Sequence, residues 1–364
     1  MNIRIQHDNQ SHTPGAARGQ SQGGIALVVV MIAVFVLSVL AGAFAYSMKV
    51  ETKLAMNANH QSDLDWIGRS GVEYARWMLA LEMRSPYDSL NQKWAGGPGG
   101  SFETNGALAD ATLSDIQVGD GTCSIKIIDL ERKVNVNTAD PATLDQIMRV
   151  VGADATEGSV IADSIRDWVD SNDTPLVSGA ESDYYQGLTP AYYAKNGPID
   201  DISELLLIRG IRDEPEIYSS DYMNNQRLDR FGNPIPPKQF AAHLVDIFTA
   251  ISTARININT ADRIVLQTIP GVDEAIADQI IRIRSGPDGV DGTEDDTPFA
   301  NVGELASAGI PQQVAPQVNR YCTVRSGTFQ VQVDAQIGGS KRTYIAILGR
   351  NNQRDIQILS FYPL

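Results

Sequence analysis

Twenty-four consecutive uncharged residues, IALVVVMIAVFVLSVLAGAFAYSM, run from Ile25 to Met48. At a rise of about 1.5 Å per residue they make a helix of roughly 36 Å, enough to cross a bilayer core of about 30 Å. The run exceeds the apolar region of an ordinary secretory signal. A buried helix of a soluble protein, the other reading of a segment apolar all round, is not expected at this length. It predicts a membrane span. Arg4 and Arg18 precede it and Lys49, Glu51 and Lys53 follow, so charge asymmetry alone hardly orients it.

Past the span the helical pattern continues. Leu64, Ile67, Val72, Ala75, Met78, Leu79 and Glu82 recur at helical spacings, and the apolar members mark a stripe fit to pack on a sheet. GGPGG at 96–100 ends the pattern. CSIKIIDLERKVNVN, from Cys123 to Asn137, reads as a strand, yet the next strand-like stretches come near the carboxyl end: GTFQVQVDAQI, RTYIAILGR and RDIQILSFY. An antiparallel sheet is predicted whose first strand is parted from the rest by roughly 180 residues, far too many for a loop. The expected class is therefore α+β: a long amino-terminal transmembrane helix packed on an antiparallel sheet, with a large, mostly α-helical insert. The expected boundaries are a leader at 1–24, the span at 25–48, a first sheet-bearing part at 49–134, the insert at 135–317 and closing strands at 318–364.

The insert contains a near repeat. VNVNTAD at Val134–Asp140 returns as ININTAD at Ile256–Asp262. Each copy leads into a helix, a Gly turn, a second helix and a short third one, so about 135–212 and 255–310 read as two helix-hairpin-helix-like (SAM-like) units. Thr138/Asp140 and Thr260/Asp262 are placed to cap the first helices, and Pro141 suits a first turn. Units of this kind commonly hold phosphate on the amides of a Gly turn and helix N-terminus. Here Asp154 and Glu157, and in the second copy Asp273 and Glu274, stand where a phosphate would approach. Between Asn135 and Ile310 there are 29 Asp/Glu against 12 Lys/Arg, in a chain of net charge -15. Such a surface repels polyanions, and no nucleic-acid partner is expected. The rival reading, a membrane-anchored helix-hairpin-helix protein for DNA uptake, would require basic hairpins.

Two loops gather carboxylates. DWVDSNDTPLVSGAESDYYQGL carries Asp167, Asp170, Asp173, Glu181 and Asp183; SGPDGVDGTEDDTPF carries Asp288, Asp291, Glu294, Asp295 and Asp296. Carboxylates crowded on a Gly-bent loop repel one another unless solvated or joined by a cation, and calcium, which takes six to eight oxygens, is the natural ion. Neither loop has EF-hand spacing. The expected ligands, for one or two ions, are Asp170, Asp173, Glu181 and Asp183 in the first loop and Asp288, Asp291, Glu294, Asp295 and Asp296 in the second. Solvated acidic loops are the alternative. Two cysteines, Cys123 and Cys322, exclude a zinc cluster or disulfide framework. A single bond between them stays open if the chain faces an oxidising compartment. With four scattered histidines and no nucleophile or oxyanion motif beside the acids, no enzymatic activity is expected.

The polar leader that ends QGG against the apolar run resembles the class III leader of type IV pilins and pseudopilins, which prepilin peptidase cuts after a Gly. That resemblance implies a cut between Gly24 and Ile25 and methylation of the new Ile25 terminus. Val29 departs from it. Pilins carry Glu at this fifth mature position to pair with a neighbour's amino terminus, and a subunit without it suits a filament tip. GGIALVVV, SGVEYARWML, IDLERKVNVNTAD, RDWVDSNDTPLVSGAESDYY, NGPIDDISELLLIRGI and ININTAD, in that order, resemble the minor pseudopilin K family of type II secretion systems over most of 24–326. The resemblance implies a pilin-like fold with a helical insert that binds calcium. It also implies an inner-membrane anchor, a large periplasmic domain, and minor pseudopilins I and J and the major pseudopilin as partners. The implied role is to cap the pseudopilus and start its assembly for protein export across the outer membrane. The Asp-rich loop at Asp288–Asp296 matches no motif of that family, and its metal role rests on composition alone.

Overall fold

The computed structural model describes residues 22–99, 106–224, 227–228, 233–307 and 309–364. The chain divides into two compact units after Ser62. The first holds the amino-terminal part of helix α1 (Gln22–Glu82), where every side chain from Ile25 to Ala55 is exposed. Among the described residues, this is the one helix long and apolar enough to cross a membrane, with a window of mean hydropathy 3.0. The expected leader lies, as far as residue 21, outside the described residues.

In the second unit the last turns of α1 bury Leu64, Ile67, Val72, Ala75, Met78 and Leu79. They share a core with a five-stranded antiparallel sheet in the order β1 (Ile116–Val118), β2 (Gly121–Asp129), β3 (Thr328–Ile337), β4 (Ser340–Asn352) and β5 (Asp355–Pro363). Alternate residues supply the sheet's share: Cys123, Ile125 and Ile127, then Phe329, Val331, Val333 and Ala335, then Tyr344, Ala346 and Leu348. That is the period-2 pattern of a strand with one face buried. The register pairs Cys123 with Ala335 and Val333 with Tyr344.

Helix and sheet approach closely where the helix has no side chain. A Cβ on Gly71 would lie 2.5 Å from Val333 Cγ1, and one on Gly68 would lie 2.5 Å from Tyr344 Cδ2. Gly71→Val should therefore lower stability by about 1–3 kcal/mol, the usual cost of overpacking. Ser70→Val, on the exposed side of the same turn, should change little. Urea midpoints of the two variants check this.

The stretch expected as a single strand from Cys123 to Asn137 is broken. β2 stops at Asp129 because the Asp129 carboxylate accepts the Glu131 amide at 2.8 Å, which turns the chain. Val134–Asn135 then pairs in parallel with Phe248–Thr249, outside the main sheet. The chain rejoins the sheet only at β3, so the helical segment sits between two neighbouring strands.

That segment is built twice on one plan. α2 (Pro141–Val151) and α3 (Ala155–Val169) follow the first N-T-A-D; α4 (Arg263–Gln267) and α5 (Glu274–Arg284) follow the second. The turn within each pair is a glycine at positive φ, Gly152 at 86° and Gly271 at 87°, a conformation that a Cβ disfavours. Ile256–Asn257 pairs in parallel with Cys322–Thr323, as Val134–Asn135 does with Phe248–Thr249.

The second asparagine of each motif clamps the third segment of its own copy. Asn137 accepts the Ile199 amide and donates to its carbonyl at 2.7 and 2.9 Å. Asn259 treats Phe299 in the same way, at 3.0 Å each. The third segments differ, a 3₁₀ helix at Ile202–Leu207 and an α-turn at Glu304–Ser307. Capping also differs: Asp140 accepts the Thr143 amide, whereas Asp262 makes no such bond and takes Arg132 instead.

Candidate functional site

The last turn of α3 and the loop after it bring three carboxylates together. Asp167 and Asp170, three residues apart, project from one side of the helix end, and the chain returns to place Glu181 beside them. One oxygen from each lies within 4.8 Å of the other two. Asp167 is fully buried and accepts the Leu176 amide on both oxygens, at 3.2 and 3.1 Å. A Cβ on Gly179 would fall 1.8 Å from Asp167 Oδ2, so the loop closes over the acid only with glycine there.

Glu181 is 3% exposed, yet neither of its carboxylate oxygens has a hydrogen-bond partner. Burial, then the charges of Asp167, Asp170 and Asp173, push its carboxyl up to about 7. Burial likewise raises Asp167. A buried anion without a donor is costly, and a hard cation would offset that cost. Carboxylate oxygens in this number fit calcium, with main-chain oxygens or water completing the shell.

The expected first-loop ligands divide. Asp170 and Glu181 belong to the cluster. Asp173 lies close enough to act on Glu181 by charge, and its own carboxylate accepts from Ser182 and Asn196 at 3.0 and 2.9 Å. Asp183 is exposed on the short helix Ser182–Gln186. Asp167 was absent from the expected ligand set. Its signal was the i, i+3 spacing to Asp170 on the helical pattern that ends DWVD.

The second acidic loop is held differently. Arg284, 3% exposed, takes Asp291 through two bonds of 3.0 and 2.6 Å. Asp288, Asp295 and Asp296 accept the amides of Val290, Asp288 and Gly292, and Glu294 is exposed. Among the described residues no three of these acids converge as the first loop's do.

Cys123 and Cys322 are both buried and free. This corrects the open disulfide: Cys123 belongs to the core under the sheet and Cys322 to the core of the helical segment. The acids that flank the Gly turns also have defined roles. Asp154 accepts the Thr156 and Glu157 amides, and Asp273 accepts the Ile276 amide, so the ends of α3 and α5 carry their own anions.

Comparison with known proteins bears on this arrangement. The family model described as type II secretion system (T2SS), protein K, matches residues 124–218, which include the α3 cluster. Type II secretion system protein K of Pseudomonas aeruginosa is 22% identical over 349 residues, covering 94% of this chain and 92% of that protein. Residues 124–218 thus match the type II secretion protein K domain, and the chain resembles proteins of that name along most of its length. The family's protein from Aeromonas hydrophila is 24% identical over 301 residues, covering 70% of this chain and 85% of its own. In fold the chain is similar to a chain in the crystal structure of the GspK-GspI-GspJ complex from enterotoxigenic Escherichia coli, with a TM-score of 0.61 at 16% identity. That likeness covers 85% of this chain and 99% of that one. The family's members bear the name of a secretion component and no enzymatic name.

Proposed function

We propose that the protein is a non-enzymatic minor pseudopilin at the tip of the type II secretion pseudopilus. The observation that carries this reading is the likeness to protein K along 94% of the chain. The fold fits a tip: the helical segment opens out from between two sheet strands, and its bulk would obstruct a subunit stacked above. Val29 fits it as well, because it offers no carboxylate to a neighbour's amino terminus. In this reading prepilin peptidase cuts between Gly24 and Ile25, and Ile25 is methylated. The apolar part of α1 then holds the subunit in the inner membrane before it joins the filament, with Asp63–Leu364 in the periplasm. One calcium ion sits at Asp167, Asp170 and Glu181. The partners are the counterparts of GspI and GspJ, and below them the major pseudopilin; assembly starts from that tip complex. Asp154 and Asp273 fill the helix N-termini that a DNA-binding hairpin would offer to phosphate, which favours this reading over DNA uptake.

The test is co-purification of Asp63–Leu364 with the two partner minor pseudopilins of the same secretion system, with and without calcium. A stable ternary complex is expected. Failure to form any complex in either condition would sink the tip assignment.

A further inference from the structure

A buried polar cluster lies where the helical segment leaves the sheet and returns to it. Asp129 ends β2 and Glu131 lies in the turn after it, Ser326 precedes β3 and Thr328 begins it, Arg350 comes from β4 and Asp88 from the stretch after α1. Asn257 and Thr260, of the second N-T-A-D motif, enter from the helical segment. All eight side chains are buried. Asp129 Oδ2 accepts from Thr260 Oγ, from Ser326 Oγ at 2.7 Å and from Asn257 Nδ2 at 3.1 Å. Glu131 accepts the Thr253 and Thr328 amides at 3.0 Å each, one from the helical segment and one from the sheet. Asp88 accepts the Ser326 amide at 2.8 Å and an Arg350 guanidinium N–H.

The charges in this cluster do not balance. Three buried carboxylates share one guanidinium, and that guanidinium is spent on Asp88. The charges that act most on Asp129 are those of Glu131 and Asp88, and Arg350 bonds Asp88; Arg132 and Lys133 line the surface pockets that Asp129 also borders, and Asn257, Thr260 and Ser326 are neutral. Burial first, and then Glu131, hold the Asp129 carboxyl up at about 7. A cluster of this kind takes up and releases its proton as a unit.

We infer that the cluster is a proton-linked latch, which seats the helical segment firmly on the sheet when it holds one extra proton and loosens that seat when the proton leaves. This holds independently of the tip assignment. The sign follows from linkage. An unfolded Asp loses its proton near about 3.9, so between about 4 and 7 the folded state alone keeps it. The stabilisation is complete below about 4 and is lost as the pH rises toward 7.

The experiment uses the full chain in detergent micelles with saturating calcium, so that Glu181 does not contribute. Hydrogen exchange is followed at two junction amides, Leu130 to Thr328 O and Asn257 to Glu131 O, against sheet amides such as those of β3. After correction for intrinsic rates, opening at the junction should rise at least tenfold between pH 5 and pH 8 in the wild type. In Asp129→Asn, which stays neutral, it should be flat. Glu131→Gln removes one repelling charge and should move the transition to lower pH, which a merely structural role would not do. Identical pH profiles in wild type and Asp129→Asn would overturn the latch, as would a Glu131→Gln transition that stays in place.

Discussion

Chelating calcium should lower the melting temperature of this protein, and Glu181→Gln should remove the difference between calcium-loaded and calcium-free samples. A ligand that binds only the folded state at a hundredfold excess over its Kd adds about 2.7 kcal/mol. For a domain of this size that is on the order of 5–10 °C. The effect should concentrate at Glu181 because its two oxygens are buried without a donor, whereas Asp170 accepts from its own loop at Asn172. Ligands must be ionised to bind the metal, so calcium affinity should weaken by up to about tenfold per pH unit below 7. Calcium-free Glu181→Gln should be more stable than calcium-free wild type at pH 8, since it carries no uncompensated charge there. Asp183→Asn, on an exposed position, should leave the calcium response intact. Calorimetric titration of the wild type and both variants decides the matter. A full calcium response in Glu181→Gln, or none in wild type, would refute this site.

Hydrophobic spacing carried the broad architecture because burial has a period. The stripe from Leu64 to Leu79 and the alternation along β2 to β4 need only positions on one face. It failed at Asp129, where apolar residues go on alternating past a turn made by one carboxylate and one amide. The two acidic loops show the same limit in the candidate site. Both are rich in Asp and Gly, yet Arg284, upstream of the second, reaches Asp291 from a buried position. In the first loop Asp167 and Glu181 are buried and the nearest charges are like charges. Composition reports how many acids a loop has; which of them is left without a partner depends on the fold around it. The cysteines were illegible for a related reason, since nothing local assigns a residue to one core or the other. The repeated N-T-A-D motif was visible at once, but its use was not: Asn137 and Asn259 serve as main-chain clamps, and Thr260 reaches back to Asp129.

Arg350→Met should be the most damaging single substitution at the junction, costing about 3–5 kcal/mol, the range for breaking a buried pair from one side. That is a large share of the roughly 5–15 kcal/mol that holds a typical domain together. The Arg350 and Asp88 side chains are 1% and 0% exposed. The guanidinium also donates to Ser326 O at 2.7 Å and lies over the Phe329 ring at 4.7 Å. Methionine keeps much of the volume but leaves the Asp88 carboxylate with the Ser326 main-chain amide in place of two donors, beside Asp129 and Glu131. The cost then comes from the stranded carboxylate more than from lost packing. The double variant Arg350→Met/Asp88→Asn should accordingly recover most of the loss, because it removes the charge that the single variant strands. Urea unfolding of the two single variants and the double variant measures the coupling. A double variant no more stable than Arg350→Met would mean that Arg350 acts through packing on Phe329, and that the charge balance of the junction is not what holds the helical segment to the sheet.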